Sequence, residues 1–313
     1  MNLKGRHLLT LFDYSPDEIR YLLDLADELK KEYKEEGSHP NRKPLKKSLG
    51  MLFEKTSTRT RLSFETGIWQ LGGQALFLSF RDMQLVGTGE TVGDTAQVFS
   101  RYLGAIMGRV YKHQTLVDLA DNSSIPVING LCDLYHPCQI LADLQTIREK
   151  KGKLKGLKLI YVGDGNNVCH SLMIGCTKVG MDVTVVCPDK YKPDKEITDK
   201  VRELTKESGT KLEITHDIPS GVKDADVVYT DTWISMGDEA EKDIRLNAFQ
   251  GFTVNETLMS YAKPDAIFLH CLPAHRGYEV TDEVIDSNQS VVFDEAENRM
   301  HAQKAVMLAL MGD

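Results

Sequence analysis

The chain has 313 residues, 41% hydrophobic and 27% charged, which excludes disordered, collagenous and coiled-coil classes and fits two domains of about 100–200 residues each. Lys and Arg total 38 against 46 Asp and Glu, a net charge of −8, which argues against nucleic acid as a partner and leaves any anion to be caught by a local cluster of donors. No apolar run approaches the roughly 18–20 residues that cross a bilayer, and the N-terminus reaches acidic residues before it can build a signal peptide, so neither membrane insertion nor export is expected.

Ser15, Pro16 and Glu18 form an N-cap, a first-position proline and a capping-box partner ahead of apolar Ile19, Leu22, Leu23, Ala26 and Leu29, which predicts a helix ending at Gly37. Short apolar runs then alternate with amphipathic stretches: LGMLF (49–53), QALFLSF (74–80), AIMGR (105–109) and PVIN (126–129) read as strands, and a helix follows from Pro137 to about Lys150. Alternation of this kind predicts a parallel sheet flanked by helices. The basic, glycine-punctuated stretch 150–156 marks a domain boundary, giving a first domain over 1–149 and a second over 150–294. In the second, LKLIYVG (157–163), DVTVVC (182–187), KLEIT (211–215), DVVYT (226–230), AIFLHC (266–271) and SVVF (290–293) read as strands of another α/β sheet. A last amphipathic segment from about Glu295 is expected to be a helix, either capping the second domain or crossing back to the first. Six cysteines, Cys132, Cys138, Cys169, Cys176, Cys187 and Cys271, show no CxxC or metal-finger spacing, the usage of free thiols in a reducing cytoplasm.

Five strand ends carry the chemistry. After LGMLF come Ser57, Thr58, Arg59, Thr60 and Arg61, immediately before an amphipathic helix. Helix N–H groups, the helix dipole, hydroxyls and a guanidinium converge there, an anion site suited to phosphate. Residues two apart lie on nearly opposite helix faces, so Arg59 serves the site while Arg61, four before Glu65, makes a surface ion pair. A Ser cap with surface arginines is the plainer alternative. Arg109 ends AIMGR, and His136 and Gln139 share a face at the next helix start, all at the carboxyl edge of the sheet where open α/β folds bind ligands. In the second half, Asn167 opens a helix and can donate to a carboxylate, and Asp231 ends DVVYT where a carboxylate suits an ammonium. Gly163 and Gly165 only partly resemble a dinucleotide fingerprint, since Val168 stands where its third glycine belongs.

In this order the segments resemble the transcarbamoylases: Ser57, Thr58, Arg59, Thr60, Arg61 and His136, Pro137, Gln139 match that family's carbamoyl-phosphate motifs, while Asp231, the loop Ser235, Met236, Gly237 and the run His270, Cys271, Leu272, Pro273 match its ornithine branch. The resemblance implies transfer of the carbamoyl group of carbamoyl phosphate to the δ-amine of L-ornithine, giving citrulline and phosphate, with no metal and no cofactor. It implies that phosphate sits on Ser57, Thr58, Arg59 and Thr60, that Arg109, His136 and Thr60 polarise the carbonyl, and that Gln139 holds the carbamoyl nitrogen. Cys271 and the Leu272 backbone would lie at the δ-amine and the donor. Arg299 would reach the donor if the C-terminal helix, about 295–313, crosses back. Asn167 and the Met236 backbone would take ornithine's carboxylate, Asp231 and Ser235 its α-ammonium. Members of the family are built on trimers, sometimes dodecamers, and Gln84 would enter a neighbouring subunit's site. Domain closure would bring the substrates together and expel water. A catalyst accelerates both directions, so arginine biosynthesis and the reverse stay open. The rivals are a transcarbamoylase acting on putrescine, acylated ornithine or aspartate, a nucleotide-dependent oxidoreductase built on Gly163 and Gly165, and a noncatalytic binding module.

Overall fold

The computed structural model describes residues 1–82, 89–234 and 239–312. The chain divides into two compact units, one formed by residues 1–145 and 297–313, the other by 146–296.

The first unit begins with helix α1 (Pro16–Glu36), capped by Ser15 and Glu18 in a reciprocal capping box and ended by Gly37 in the left-handed conformation, as the sequence predicts. There follow β1 (Ser48–Phe53), α2 (Thr58–Gln70), β2 (Gln74–Ser79), α3 (Val92–Tyr102), β3 (Ala105–Arg109), α4 (His113–Asp121), β4 (Val127–Leu131) and α5 (Pro137–Lys151). The four strands form one parallel sheet in the order β2-β1-β3-β4. The strand order reverses between β1 and β3, so the loops leaving these neighbours diverge to opposite faces and open a crevice at their carboxyl ends. β2 is an edge strand. Its Leu76 and Phe77 are exposed, as are Leu62 and Trp69 of α2, an apolar margin unusual for a lone chain.

The second unit runs β5 (Lys158–Val162), α6 (Asn167–Lys178), β6 (Asp182–Val186), α7 (Lys195–Ser208), β7 (Leu212–Thr215), α8 (Ile218–Val222), β8 (Val227–Thr230), α9 (Lys242–Ala248), α10 (Glu256–Ser260), β9 (Ile267–His270) and α11 (Asp282–Ile285). Its parallel sheet has the order β7-β6-β5-β8-β9, and reverses between β5 and β8. Ile160, Val162, Val186, Val228 and Phe268 of the strands pack with Leu258, Val284 and Ile285 of the covering helices as one core.

The chain ends in α12 (Val292–Met311). The expected strand over 290–293 does not form. Ser290 makes a single parallel bridge to Phe268, Val291 donates its N–H to the Phe268 carbonyl, and the backbone turns helical at Val292. The burial explains the difference: Val291 and Val292 are both buried while Phe293 is exposed, which is not the two-residue alternation of a half-buried strand. The helix thus starts three residues before Glu295. From Glu297 onward it belongs to the first unit, where Lys30 of α1 donates to Asn298 at 2.7 Å and Lys304 donates to Gln70 of α2 at 2.8 Å. The crossing back to the first domain is therefore realised.

Candidate active site

In the first unit the switch between β1 and β3 gathers the predicted donors. Ser57 caps α2, its Oγ accepting the Thr60 N–H at 3.2 Å and donating to Thr60 Oγ1 at 3.1 Å. That cap holds Thr58, Arg59 and Thr60 in the first turn, where N–H groups and the positive end of the dipole favour an anion. Arg109, the last residue of β3, sits at a register shift between Gly108 and Arg109 against β4; such irregularities re-aim side chains. Its Nη1 lies 3.5 Å from Thr60 Oγ1. The Glu54 N–H donates to the Arg109 carbonyl at 2.9 Å, and Glu54 Oε2 accepts the Tyr111 N–H at 2.7 Å, which laces the two strand ends together. Arg61 instead pairs with Glu65 at 2.9 Å on the exposed face, as expected for residues four apart.

His136 precedes α5 and is buried. Desolvation, aided by the Arg299 and Arg109 guanidiniums, drives its pKa well below the ordinary 6.5, so it is a neutral imidazole that offers one N–H donor and one acceptor. The same burial pushes the Cys138 thiol up to about 12, which makes that cysteine inert packing. Gln139 is engaged on both sides. Its Nε2 donates to Asp143 at 2.8 Å and its Oε1 accepts from Arg299 Nη1 at 2.5 Å. Arg299 thereby arrives from 160 residues away. Its Nε and Nη2 are buried without a hydrogen-bond partner among the described residues, donors of the kind an anion would satisfy.

In the second unit the switch between β5 and β8 plays the same part with opposite polarity. Asp231 follows β8 and is buried. Its Oδ1 accepts the Thr232 N–H at 2.8 Å and the Cys271 thiol at 3.0 Å, and its Oδ2 accepts from Asn166 Nδ2 at 2.8 Å. Asn167 is the first residue of α6, beside Asn166. Cys271 and Leu272 follow β9, with Leu272 left-handed at φ 56° and the Leu272–Pro273 bond cis. Two buried carboxylates fix this turn. Glu295 accepts the His270 N–H at 2.9 Å and the Tyr229 hydroxyl at 3.1 Å; Glu279 accepts the His275 N–H at 2.5 Å and lies 3.2 Å from His270 Nε2. Reading the sequence singled out neither Glu279 nor Asn166 nor Asp143. Asn166 had a visible signal, an asparagine at the start of a helix after a strand, and so had Asp143, four residues after Gln139 on one helix face; Glu279 had none, because its partners lie across a loop.

Asp231, His270 and Cys271 bring potential metal-ligand atoms within 4.8 Å of one another. His270 has both nitrogens committed, Nδ1 to the Leu272 N–H at 2.8 Å and Nε2 to Glu279, and the Cys271 thiol is a donor to Asp231. Each of the three side chains is committed to hydrogen bonds, Cys271 to Asp231 and His270 to Leu272 and Glu279, rather than arranged as a coordination shell. Nor do the glycines signal a nucleotide. A Cβ on Gly165 would lie 2.2 Å from the Pro193 nitrogen, so its bareness admits the chain's own backbone. Gln84, Ser235 and Met236 lie outside the described residues.

Comparisons with known proteins identify the family. Residues 6–149 match the family described as aspartate/ornithine carbamoyltransferase, carbamoyl-P binding domain, and residues 155–310 match aspartate/ornithine carbamoyltransferase, Asp/Orn binding domain. An ornithine carbamoyltransferase of Oceanobacillus iheyensis is 58% identical over 99% of this chain and 96% of its own length. One from Pyrococcus horikoshii is 56% identical over 100% and 98%. The solved structure of ornithine carbamoyltransferase from Pyrococcus furiosus, 54% identical, superposes with a TM-score of 0.95 and covers 100% of this chain and 99% of that one. With both domains matched and relatives this similar along their whole length, the chain belongs to the aspartate/ornithine carbamoyltransferase family.

Proposed function

We infer that this protein is an ornithine carbamoyltransferase, transferring the carbamoyl group of carbamoyl phosphate to the δ-amine of L-ornithine. The observation that carries the reading is the polarity of the two switch points: buried guanidiniums and hydroxyls in the first unit, a buried, oriented carboxylate in the second. A dianionic donor suits the one and an amino acid's ammonium the other. Residues 1–149 with the C-terminal helix are then the carbamoyl-phosphate-binding part, and 150–294 the ornithine-binding part.

The phosphate dianion rests on Ser57, Thr58, Arg59 and Thr60 at the α2 N-terminus, with Arg299, and Gln84 of a neighbouring copy, adding donors. Arg109, Thr60 and neutral His136 point hydrogen-bond donors at the carbonyl oxygen, where negative charge grows as the amine attacks. Gln139 orients Arg299 and is assigned to the carbamoyl nitrogen. Asp231 with Ser235 takes the α-ammonium, Asn167 with the Met236 backbone the carboxylate. This leaves the δ-amine, which must be neutral to attack, near Cys271 and the Leu272 backbone. Cys271, its thiol hydrogen donated to Asp231, orients the amine; the amine's proton leaves with the departing phosphate, and no acyl-enzyme forms. No metal or cofactor enters this scheme.

Asp231 also separates the rivals. Putrescine has no carboxylate for Asn167, and an acylated ornithine has lost the cation that Asp231 would bind. A citrulline assay with ornithine, putrescine, N-acetylornithine and aspartate as acceptors tests the reading: ornithine should give by far the highest kcat/KM, and a preference for any other amine overturns it.

The exposed apolar margin of Leu62, Trp69, Leu76 and Phe77 supports a homotrimer or an assembly of trimers, with Gln84 serving a neighbour's site. If so, refolding a mixture of Gln84→Ala and Arg59→Ala chains restores sites that carry neither lesion, and activity exceeds the mean of the parents. Verified hybrids with only additive activity refute the shared site. A cytoplasmic location is supported by six free cysteines, five of them buried, and, among the described residues, no helix is long and apolar enough to cross a membrane.

A further inference from the structure

We propose that Asn166 is a positioning residue for the acceptor substrate: its amide, locked by capping α6, holds the Asp231 carboxylate in the orientation that receives ornithine's α-ammonium. The inference rests on the proposed role of Asp231 and adds a residue that touches no substrate.

The argument starts from the amide itself. An asparagine side chain has one acceptor end and one donor end, and which way it faces must be read from its partners. Here the partners leave one solution. Asn166 Oδ1 accepts the N–H groups of Val168 at 3.0 Å and Cys169 at 3.1 Å, and the Tyr161 hydroxyl lies 3.3 Å away. Backbone N–H groups only donate, so that end is oxygen. The other end is then Nδ2, and it lies 2.8 Å from Asp231 Oδ2, which as a carboxylate can only accept. Helix capping and carboxylate positioning thus specify the same rotamer.

Each of the two carboxylate oxygens is fixed from a different element. Oδ1 is held from its own loop by Thr232 and from the end of β9 by Cys271, and Oδ2 from the start of α6 by Asn166. A bond to a charged acceptor is stronger and shorter than one between neutral groups, and a preoriented carboxylate does not have to be ordered when substrate arrives. Asn166 also sits immediately before Asn167, the residue proposed for ornithine's carboxylate. One helix start therefore sets both ends of the amino-acid head group. Gly165, with the backbone of residues 192–193 against it, fixes where that helix start lies.

Two conservative variants separate positioning from capping, because both keep an oxygen acceptor favoured at an N-cap. Asn166→Ser removes the donor to Asp231, and Asn166→Asp replaces it with a second carboxylate. Thermal midpoint, kcat, both KM values and the pH profile of kcat/KM for ornithine should be measured, with Asp231→Asn alongside. The expected result for Asn166→Ser is a roughly tenfold or larger rise in ornithine KM, with KM for carbamoyl phosphate within about twofold of wild type. In Asn166→Asp the two carboxylates share a proton, so the acid side of the profile moves to higher pH by about a unit or more. If both variants keep the wild-type ornithine KM and pH profile while Asp231→Asn loses ornithine binding, Asn166 only caps the helix and the proposal falls. If both substrates weaken equally together with the thermal midpoint, the role is structural and the proposal also falls. If Asp231→Asn leaves ornithine binding intact, the reading of Asp231 itself is wrong, and the inference falls with it.

Discussion

The two units use one architectural device for opposite charges. In each, the strand order of the parallel sheet reverses once, and the residues proposed to bind or position substrate stand just beyond the ends of the strands at that point: Thr60 and Arg109 in the first, Asn166 and Asp231 in the second. The first crevice is lined with donors that repel one another and depress a buried histidine. The second contains an acceptor whose neighbours are all donors to it. The lesson is that fold position selects where a site is, and side-chain polarity alone selects what it binds.

Removing a donor from the first crevice should act on the chemical step. Arg109→Ala is expected to lower kcat by about a hundredfold or more, on the order of 3 kcal/mol, while inorganic phosphate binding changes far less. Near-normal kcat in that variant would end the parallel between the two sites, because the guanidinium would then be a mere phosphate ligand.

Next in size is the pH response. The acceptor amine, like a lysine's, has a pKa of about 10.4, so kcat/KM for ornithine should rise by up to about tenfold per pH unit through neutrality. Burial and two adjacent guanidiniums hold His136 neutral, so no break is expected near 6.5. An inflection there that disappears in His136→Gln would show an imidazolium in the donor crevice. A profile flat from about pH 6 to 9 would show that free amine does not limit the rate.

Smaller again, Cys271→Ser should keep measurable activity with a several-fold higher ornithine KM, since a hydroxyl can still donate to Asp231. Trapping a carbamoylated Cys271 would overturn direct transfer.

The smallest effect is on stability and belongs to the C-terminal helix that delivers Arg299. His301, buried on α12, has a pKa lowered to about 4, chiefly by desolvation and then by Lys304. Its unfolded value is about 6.5, so the unfolded chain binds the proton first. Stability is complete above about pH 6.5 and is lost progressively as pH falls toward 4. Thermal melts of His301→Gln should show a shallower decline across that window; an unchanged decline would place the acid sensitivity elsewhere.

Much of this was legible before any coordinates. Ser15 and Glu18, the pairing of Arg61 with Glu65 and the strand ends at Arg109 and Asp231 are local signals, carried by residues within one turn or one strand of each other. What stayed hidden is non-local. Nothing within reach of Arg299 in the sequence points to Gln139, and the choice between Asn166 and Asn167 turns on which side chain faces Asp231, 65 residues on. The strand expected over 290–293 failed for a related reason. Its β-branched residues suit a strand, but the backbone at Ser290 and Val291 pairs only with Phe268 and the next turn is already helical, so tertiary context overrode propensity.

The protein's two tryptophans stand at opposite extremes of burial. Trp233 is 4% exposed and stacked on Phe249 at 5.2 Å, while Trp69 is 69% exposed on α2, beside the uncovered sheet edge. Indole emits at longer wavelength in water than in an apolar surrounding, so replacing Trp233 by phenylalanine leaves a single indole, excited apart from the tyrosines at the red edge, whose colour reports what covers that margin. Followed through serial dilution, a red shift in its emission would mark the concentration at which like chains leave that patch of carbon surface, and an unchanged emission would show that they never covered it.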